Sequence, residues 1–456
     1  MIETSFSPLF VGLGWISMML LVGVFLRAKI PIIQRFLFPA ALIGGALGFT
    51  LMSIGTVVSV DYSVFTLAAF HLFSLGFVSI GLTGADDNEG AKKGKAKQLM
   101  RGGLWMALIW TACLTMQCIV GGGIIYGLNT FMDPIYEGIG FLAGHGFTQG
   151  PGQTVAIATT WETTYKIPDA ISVGLSFAAI GFFISAIVGV PLANWGVRKG
   201  YAHSPIKELS KDFLSGLFFK GEGTEAGKQT TQPSNIDAFA FHLALLLGVY
   251  FVTYMECVLV NRFLPPALKP LTYGFIFMWG MLNGMLARTL LKKFGSVHLI
   301  DNNIQRRLTG TTVDFMIVAT LMAVKIATVL QYIVPILLIC IVVSIITFGF
   351  ILYFGKRSGD YPLERVLAMF GYCTGTAASG LLLLRIVDPE FKTPVSTEIG
   401  FMNIFAAFTM PHLIPMHMTL PILPMGVSGM MGINLINFLI MIILLKVLKF
   451  WNKPSW

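Results

Sequence analysis

Two short stretches hold residue types that could do chemistry in an otherwise apolar chain. The first, 144-GHGFTQGPGQ-153, places four glycines, a proline, two glutamines, a histidine and a threonine in ten residues. The second, 371-GYCTGTAASG-380, mixes glycine with hydroxyl side chains, a cysteine and a tyrosine. Runs like these interrupt a helix, and an interrupted helix offers two kinds of ligand. Backbone N–H groups freed at a half-helix N-terminus bind a carboxylate. Freed carbonyls and hydroxyl oxygens suit a hard cation, which takes oxygen ligands. The candidate set is Gly144, His145, Gly146, Thr148, Gln149, Gly150, Gly152 and Gln153 in the first stretch. In the second it is Cys373, Thr374, Gly375, Thr376, Ala377, Ser379 and Gly380, beside Tyr372. The competing reading is structural: a tight helix crossing of small residues, with polar groups lining a water.

A few titratable residues also fall within apolar runs, where a charge is costly and marks function by default. Arg385 follows the second stretch and could meet an anion, or pair locally with Asp388. Glu256 and Asp314 sit toward span ends and can reach water, and Glu162 reads as a solvated helix end. Asn283 fits a helix–helix hydrogen bond. His145 fits a neutral, hydrogen-bonded histidine; it has no metal-ligand partner nearby in sequence, so zinc is not expected. Cys113, Cys118, Cys257, Cys340 and Cys373 all lie in apolar runs and read as small apolar residues, with no disulfide framework.

The elements that position these residues are membrane helices. The chain has 456 residues, 55% hydrophobic and only 12% charged, against about 25% charged in soluble domains. The apolar residues cluster in runs of about 20, the length that crosses a bilayer. The net charge of +9 comes from Lys and Arg in short loops between spans, so it is no sign of nucleic-acid binding. No cleavable signal is evident at the N-terminus. The expected class is an all-α polytopic protein in the plasma (inner) membrane.

Spans are expected near 7–26, 37–56, 63–83, 103–127, 170–196, 238–260, 270–290, 309–328 and 330–354, with one or two more in 397–450. Broken segments fall at 134–166 and 366–389. Backbone freed from a helix costs several kcal/mol per group in hydrocarbon, so both breaks must be buried in protein or line a wet cavity. Loops 27–35, 84–101, 198–236, 288–307 and 355–365 are rich in Lys and Arg, which places them in the cytoplasm and the N-terminus outside. The first break is then entered from outside and must return there. The second is entered from inside.

Opposite entry of two similar breaks is the layout of an inverted repeat. The expected domains are a first repeat at 1–197, a polar cytoplasmic linker at 198–236 and a second repeat at 237–456, each repeat with about five transmembrane helices. The run 36-FLFPAAL-42 echoes 263-FLPPAL-268, pairing Pro39 with Pro266, and the same offset carries Gly144 onto Gly371.

The chain resembles the sodium:glutamate symporter family. The resemblance rests on 38-FPAALIGGALG-48, 79-SIGL-82, 115-TMQCIVGGGI-124, 141-FLAGHGFTQG-150, 281-MLNG-284, 321-LMAVKI-326 and the second break. It implies a dimeric, elevator-type symporter of two inverted repeats. A dicarboxylic amino acid such as L-glutamate and Na+ would bind where two re-entrant tips meet, with no cofactor beyond the coupling ion. The first tip reads AGHG where the family has a second glycine before the histidine, and the second lacks the glycine-richer run that begins Gly-His. Both departures fall on the pocket and bear on substrate identity. Rival readings are an H+- or Na+-coupled carrier of another small organic anion, and a channel whose two re-entrant loops form a filter. No HExxH, GxSxG, P-loop or paired-carboxylate motif argues for an enzyme.

Overall fold

The computed structural model describes residues 7–56, 60–84, 93–203, 211–218, 223, 225–265, 269–389 and 391–456. Lys92, Lys207, Lys220 and Pro266, which carried part of the loop-charge and repeat arguments, lie outside these residues. Among the described residues every regular element is helical. In chain order, α1 (Pro8–Lys29), α2 (Pro31–Arg35), α3 (Ala40–Ser53), α4 (Tyr62–Leu82) and α5 (Lys93–Leu128) lead to the first break. There α6 (Phe141–Thr148) and α7 (Pro151–Thr163) stand in place of one span, and α8 (Ala170–Arg198) follows. Next come α9 (Lys211–Ser215), α10 (Ala238–Val260), α11 (Lys269–Gly274), α12 (Ile276–Lys293), α13 (Asn302–Ala323), α14 (Ile326–Gln331) and α15 (Ile333–Gly355). The second break is α16 (Pro362–Thr374) and α17 (Ala377–Val387). The chain ends with α18 (Val395–Thr409), α19 (Leu413–Met418) and α20 (Gly426–Val447).

Among the described residues, seven helices are long and apolar enough to cross a membrane: α1, α4, α5, α8, α10, α15 and α20. Their outer faces support that reading. Phe251, Met255 and Leu259 on α10, and Ile436, Ile440 and Ile443 on α20, are exposed. Such apolar stripes suit lipid rather than water. Two of the expected spans end or break early. The run 37–56 is helical only over Ala40–Ser53, bounded by Pro39 and by Gly55, whose φ is +71°. The run 309–328 is interrupted at Lys325, where the backbone is extended. That helix also starts earlier than expected, which puts Asp314 near the middle of α13 rather than near its end.

The helices gather into two compact units, each drawing on both halves of the chain. One unit holds Met1–Val24, Gly44–Gly90 and Leu217–Ala323. In it α4 packs on both α12 and α13. The α4–α12 crossing is so close that a Cβ on Gly81 would lie 2.2 Å from the Met281 carbonyl oxygen. The 44-GGALG-48 face does the same against α1, where a Cβ on Gly44 would meet the Met19 carbonyl at 2.2 Å. Small residues permit such approach because helix association in lipid depends on packing. Polar links reinforce it: Ser79 bonds Gln305 at 2.8 Å, and Asn283 donates to Thr253 and Glu256.

The other unit holds Phe25–Ile43, Ala91–Gly216 and Val324–Trp456, and so contains both breaks. Its core is built on buried Trp105, Phe370, Leu363, Leu383 and Met402. Within it Arg365 at the start of α16 meets Glu398 on α18 in a two-pronged pair, 2.6 and 2.8 Å. A third Arg365 bond goes to the Ser358 carbonyl at 2.9 Å. The Glu398 side chain is fully buried, so removing it would leave a buried guanidinium without its counter-charge. Glu398→Ala is expected to lower stability by about 3–5 kcal/mol. Replacing both partners with Met should recover most of that loss. Thermal unfolding of the purified protein in detergent, with the double variant ranked above Glu398→Ala, checks this.

Candidate functional site

The sequence already disfavours a through-helix at 149–151, where Pro151 lacks an N–H and Gly150 can take backbone angles that other residues avoid. The structure breaks the helix there, with Gly150 at φ +78°. α6 and α7 form a hairpin: the Tyr136 ring, before α6, lies edge-on to Trp161 near the end of α7, 5.6 Å between centroids. The second break is also a hairpin. Its arms are held close at Gly371, where an added Cβ would lie 2.6 Å from the Ser379 carbonyl oxygen.

The two hairpin tips meet within one unit. A Cβ on Gly150 would lie 2.8 Å from Thr376 Cγ2 and 3.3 Å from the Gly375 carbonyl oxygen. Each tip contributes the C-terminus of one helix and the N-terminus of the next, hence a set of carbonyls and a set of N–H groups without intrahelical partners. α5 deals with the carbonyls. Trp110 Nε1 donates to the Thr148 carbonyl at the end of α6, 2.7 Å. Gln117 Nε2 donates to the Cys373 carbonyl near the end of α16, 3.1 Å, and to Thr347 Oγ1 on α15, 2.9 Å. The Trp110 ring also stands against Tyr372, 5.0 Å between centroids.

The helix starts are treated differently. Neither α7 nor α17 has a side-chain cap. Beside them Gln153 Nε2 and Thr376 Oγ1 are buried without a hydrogen-bond partner, an arrangement that costs about 1–3 kcal/mol for each group. Stretches 144–153 and 371–380 contain no Lys, Arg, Asp or Glu. The result is a partly buried place with spare N–H and hydroxyl groups, two positive helix ends and no charged side chain of its own. It can accept an anion from the backbone and a hard cation from oxygens.

The other candidate residues fall into separate groups. Gly144, His145 and Gly146 lie one to two turns back along α6, fully buried. Gly146 packs on α8, where a Cβ would lie 2.9 Å from the Ala178 amide nitrogen. Thr148 Oγ1 is turned back onto the Gly144 carbonyl, and Thr374 Oγ1 onto that of Phe370, 2.7 Å. Gln149 donates to Met410 Sδ, 3.4 Å. Gly152, Cys373 and Gly380 are buried, Ala377 is half-buried, and Ser379 lies beside Gly375. Arg385 stands apart, exposed near the far end of α17 with its guanidinium over the Phe391 ring, 5.1 Å. Asp388 does not take it up; that carboxylate accepts from the amides of Lys392 and Thr393, both 2.8 Å.

His145 has partners that sequence spacing hid. Its Nε2 lies 2.9 Å from His417 Nδ1, and His417 Nε2 lies 3.1 Å from Asn434 Nδ2 on α20. Trp161 Nε1 donates to the carbonyls of His417 and Met418, 3.1 and 3.0 Å. The residues that sequence reasoning passed over are therefore Trp110, Gln117 and His417. A glutamine inside the apolar run of α5 was a visible signal for one of them.

Gly150→Ala should place a Cβ in a backbone region open essentially to glycine alone, φ 78° and ψ −175°, at about 1–3 kcal/mol, and push the tips apart. Gly127→Ala, at a helical glycine with nothing within 4 Å, should be neutral or stabilising. Thermal stability of the two variants, compared in detergent, tests the tip geometry.

A family model described as sodium/glutamate symporter matches residues 11–381. A sodium/glutamate symporter of Haemophilus influenzae is 21% identical over 386 residues, covering 82% of this chain and 87% of that protein. No solved structure matches the chain.

Proposed function

Since the chain belongs to the sodium/glutamate symporter family, and is therefore a multi-pass membrane transporter rather than an enzyme, we propose that it carries glutamate or a similar small dicarboxylate together with Na+, at the meeting point of the two hairpin tips. The observation that carries this reading is the pair of uncapped helix starts at Gly150–Pro151 and Thr376–Ala377, with Gln153 and Thr376 unpaired beside them. Substrate carboxylates accept from the N–H groups there. Gln153 Nε2 donates a further bond. The hydroxyl of Thr376 and nearby carbonyls supply oxygen to Na+.

Coupling follows from charge. Glutamate bears two carboxylates and one ammonium, a net charge of −1. With no charged side chain in either tip, an anion enclosed there without a counter-charge is costly. Na+ beside it removes the net charge, so each ligand raises the affinity of the other by the same factor. Alternating access then requires the loaded tips to face the two sides in turn. The unit that contains both hairpins is the moving part in this account, and the unit built on α1, α4 and α10–α13 is the fixed part, paired with a second copy. The hairpins are re-entrant, and the halves of the chain are inverted repeats.

Purified protein in lipid vesicles should accumulate labelled glutamate against its gradient only when Na+ is higher outside. Accumulation driven by a proton gradient alone would transfer the coupling to H+, and flux without accumulation would mean a channel. Gln153→Ala and Thr376→Ala should each raise the glutamate KM roughly ten- to a hundredfold, the size of a lost bond to a charged group. Unchanged KM in both variants contradicts the assigned site.

A further inference from the structure

Cys118 on α5, His145 on α6 and His417 on α19 bring one sulfur and two ring nitrogens within 4.8 Å of one another, and all three residues are fully buried. They come from distant parts of the chain, and no step of glutamate or Na+ binding uses them. We propose that this cluster is a binding site for a soft monovalent d10 cation, Cu(I) or its analogue Ag(I), held by one thiolate and two neutral imidazoles.

The donor set selects the metal. A thiolate with two imidazoles suits soft or borderline ions and not the hard cations that take oxygen. Charge then separates the candidates. One thiolate balances one monovalent cation, whereas Zn2+ would leave a net positive charge in a fully buried place, which is expensive. Structural zinc sites also take four protein ligands, and three potential ligands gather here.

The surroundings suit the sulfur and, after one amide turns over, one ring. Gly144 faces Cys118, and a Cβ there would lie 2.4 Å from Sγ. The thiol proton points to the Phe141 carbonyl at 3.5 Å, so losing it leaves the sulfur free to bind. Two nitrogens each about 2.0 Å from one three-coordinate metal stand about 3.5 Å apart, so the 2.9 Å between His145 and His417 has to open by roughly half an ångström. Asn434 supplies the outer contact that orients a metal-bound histidine. In the structure Asn434 Nδ2 faces His417 Nε2, 3.1 Å; turning the amide over, so that its Oδ1, buried without a partner, accepts from Nε2–H, leaves Nδ1 bare toward His145. His145 Nδ1 is itself buried without a partner.

Occupancy would fasten the first hairpin. The ion ties α5 and α6 to α19, and α19 already holds α7 through the two Trp161 bonds.

The test uses the full-length protein in detergent, with Cu(I) supplied anaerobically from a weak chelator. After desalting, one copper per chain is expected, and X-ray absorption at the copper edge should give one sulfur and two nitrogen neighbours. Cys118→Ser and His417→Asn should each abolish retention while the protein stays monodisperse. Asn434→Leu should weaken binding roughly ten- to a hundredfold. The wild-type ligand shell decides the matter even if one variant misfolds. No retained copper, a sulfur-only shell from Cys113, Cys257, Cys340 or Cys373, or retention unchanged in Cys118→Ser overturns the proposal. Stoichiometric Zn2+ retention with Cu(I) excluded overturns the charge argument.

Discussion

Backbone polar groups released inside an apolar interior must find partners, and this constraint governs the half of the molecule that holds the hairpins. Two helices are broken there, and each break frees carbonyls and N–H groups. α5 answers for one kind only. Trp110 takes the Thr148 carbonyl and Gln117 takes that of Cys373. Two donors on one helix thus hold the first arms of two hairpins at residues just ahead of the Gly150–Thr376 contact. The N–H groups at the starts of α7 and α17 receive no such help. An asymmetry in hydrogen bonding becomes an asymmetry in electrostatics, and the positive helix ends remain available.

Charge neutrality extends the same argument to coupling. A site with fixed cationic side chains would hold an anion without help, and transport would need no ion. Here the tips carry no formal charge, so the anion and cation stabilise each other. The buried ions of the unit lie elsewhere. Arg365 and Glu398 neutralise one another at the start of α16, where they brace the base of the second hairpin rather than its tip. The contrast between a paired, rigid base and an unpaired, neutral tip is what a moving binding site requires.

Much of this was legible in the sequence. Glycine, proline and hydroxyl residues within apolar runs marked both breaks to within a few residues, because no other residue types release a helix so cheaply. The long apolar helices followed from hydropathy, and the 44-GGALG-48 face from its small residues. The partners were harder to see. His417 lies in the proline-rich stretch 411–424, where no single period dominates, and its meeting with His145 depends on tertiary packing alone. Arg365 read as a loop charge and nothing singled out Glu398, since a salt bridge between residues 33 apart leaves no local pattern. The interruption at Lys325 has no turn chemistry to announce it, and it has no evident cause in the structure either.

The account stands on the convergence of the two tips at one ligand site, and thiol protection tests that most directly. The five native cysteines are buried, so a small polar alkylating reagent should report chiefly on a cysteine introduced as Thr376→Cys. Its alkylation should slow when glutamate and Na+ are present together, and change little with either alone. An alkylation rate indifferent to the pair, in protein that still binds glutamate, would contradict the assignment of the tips as the site.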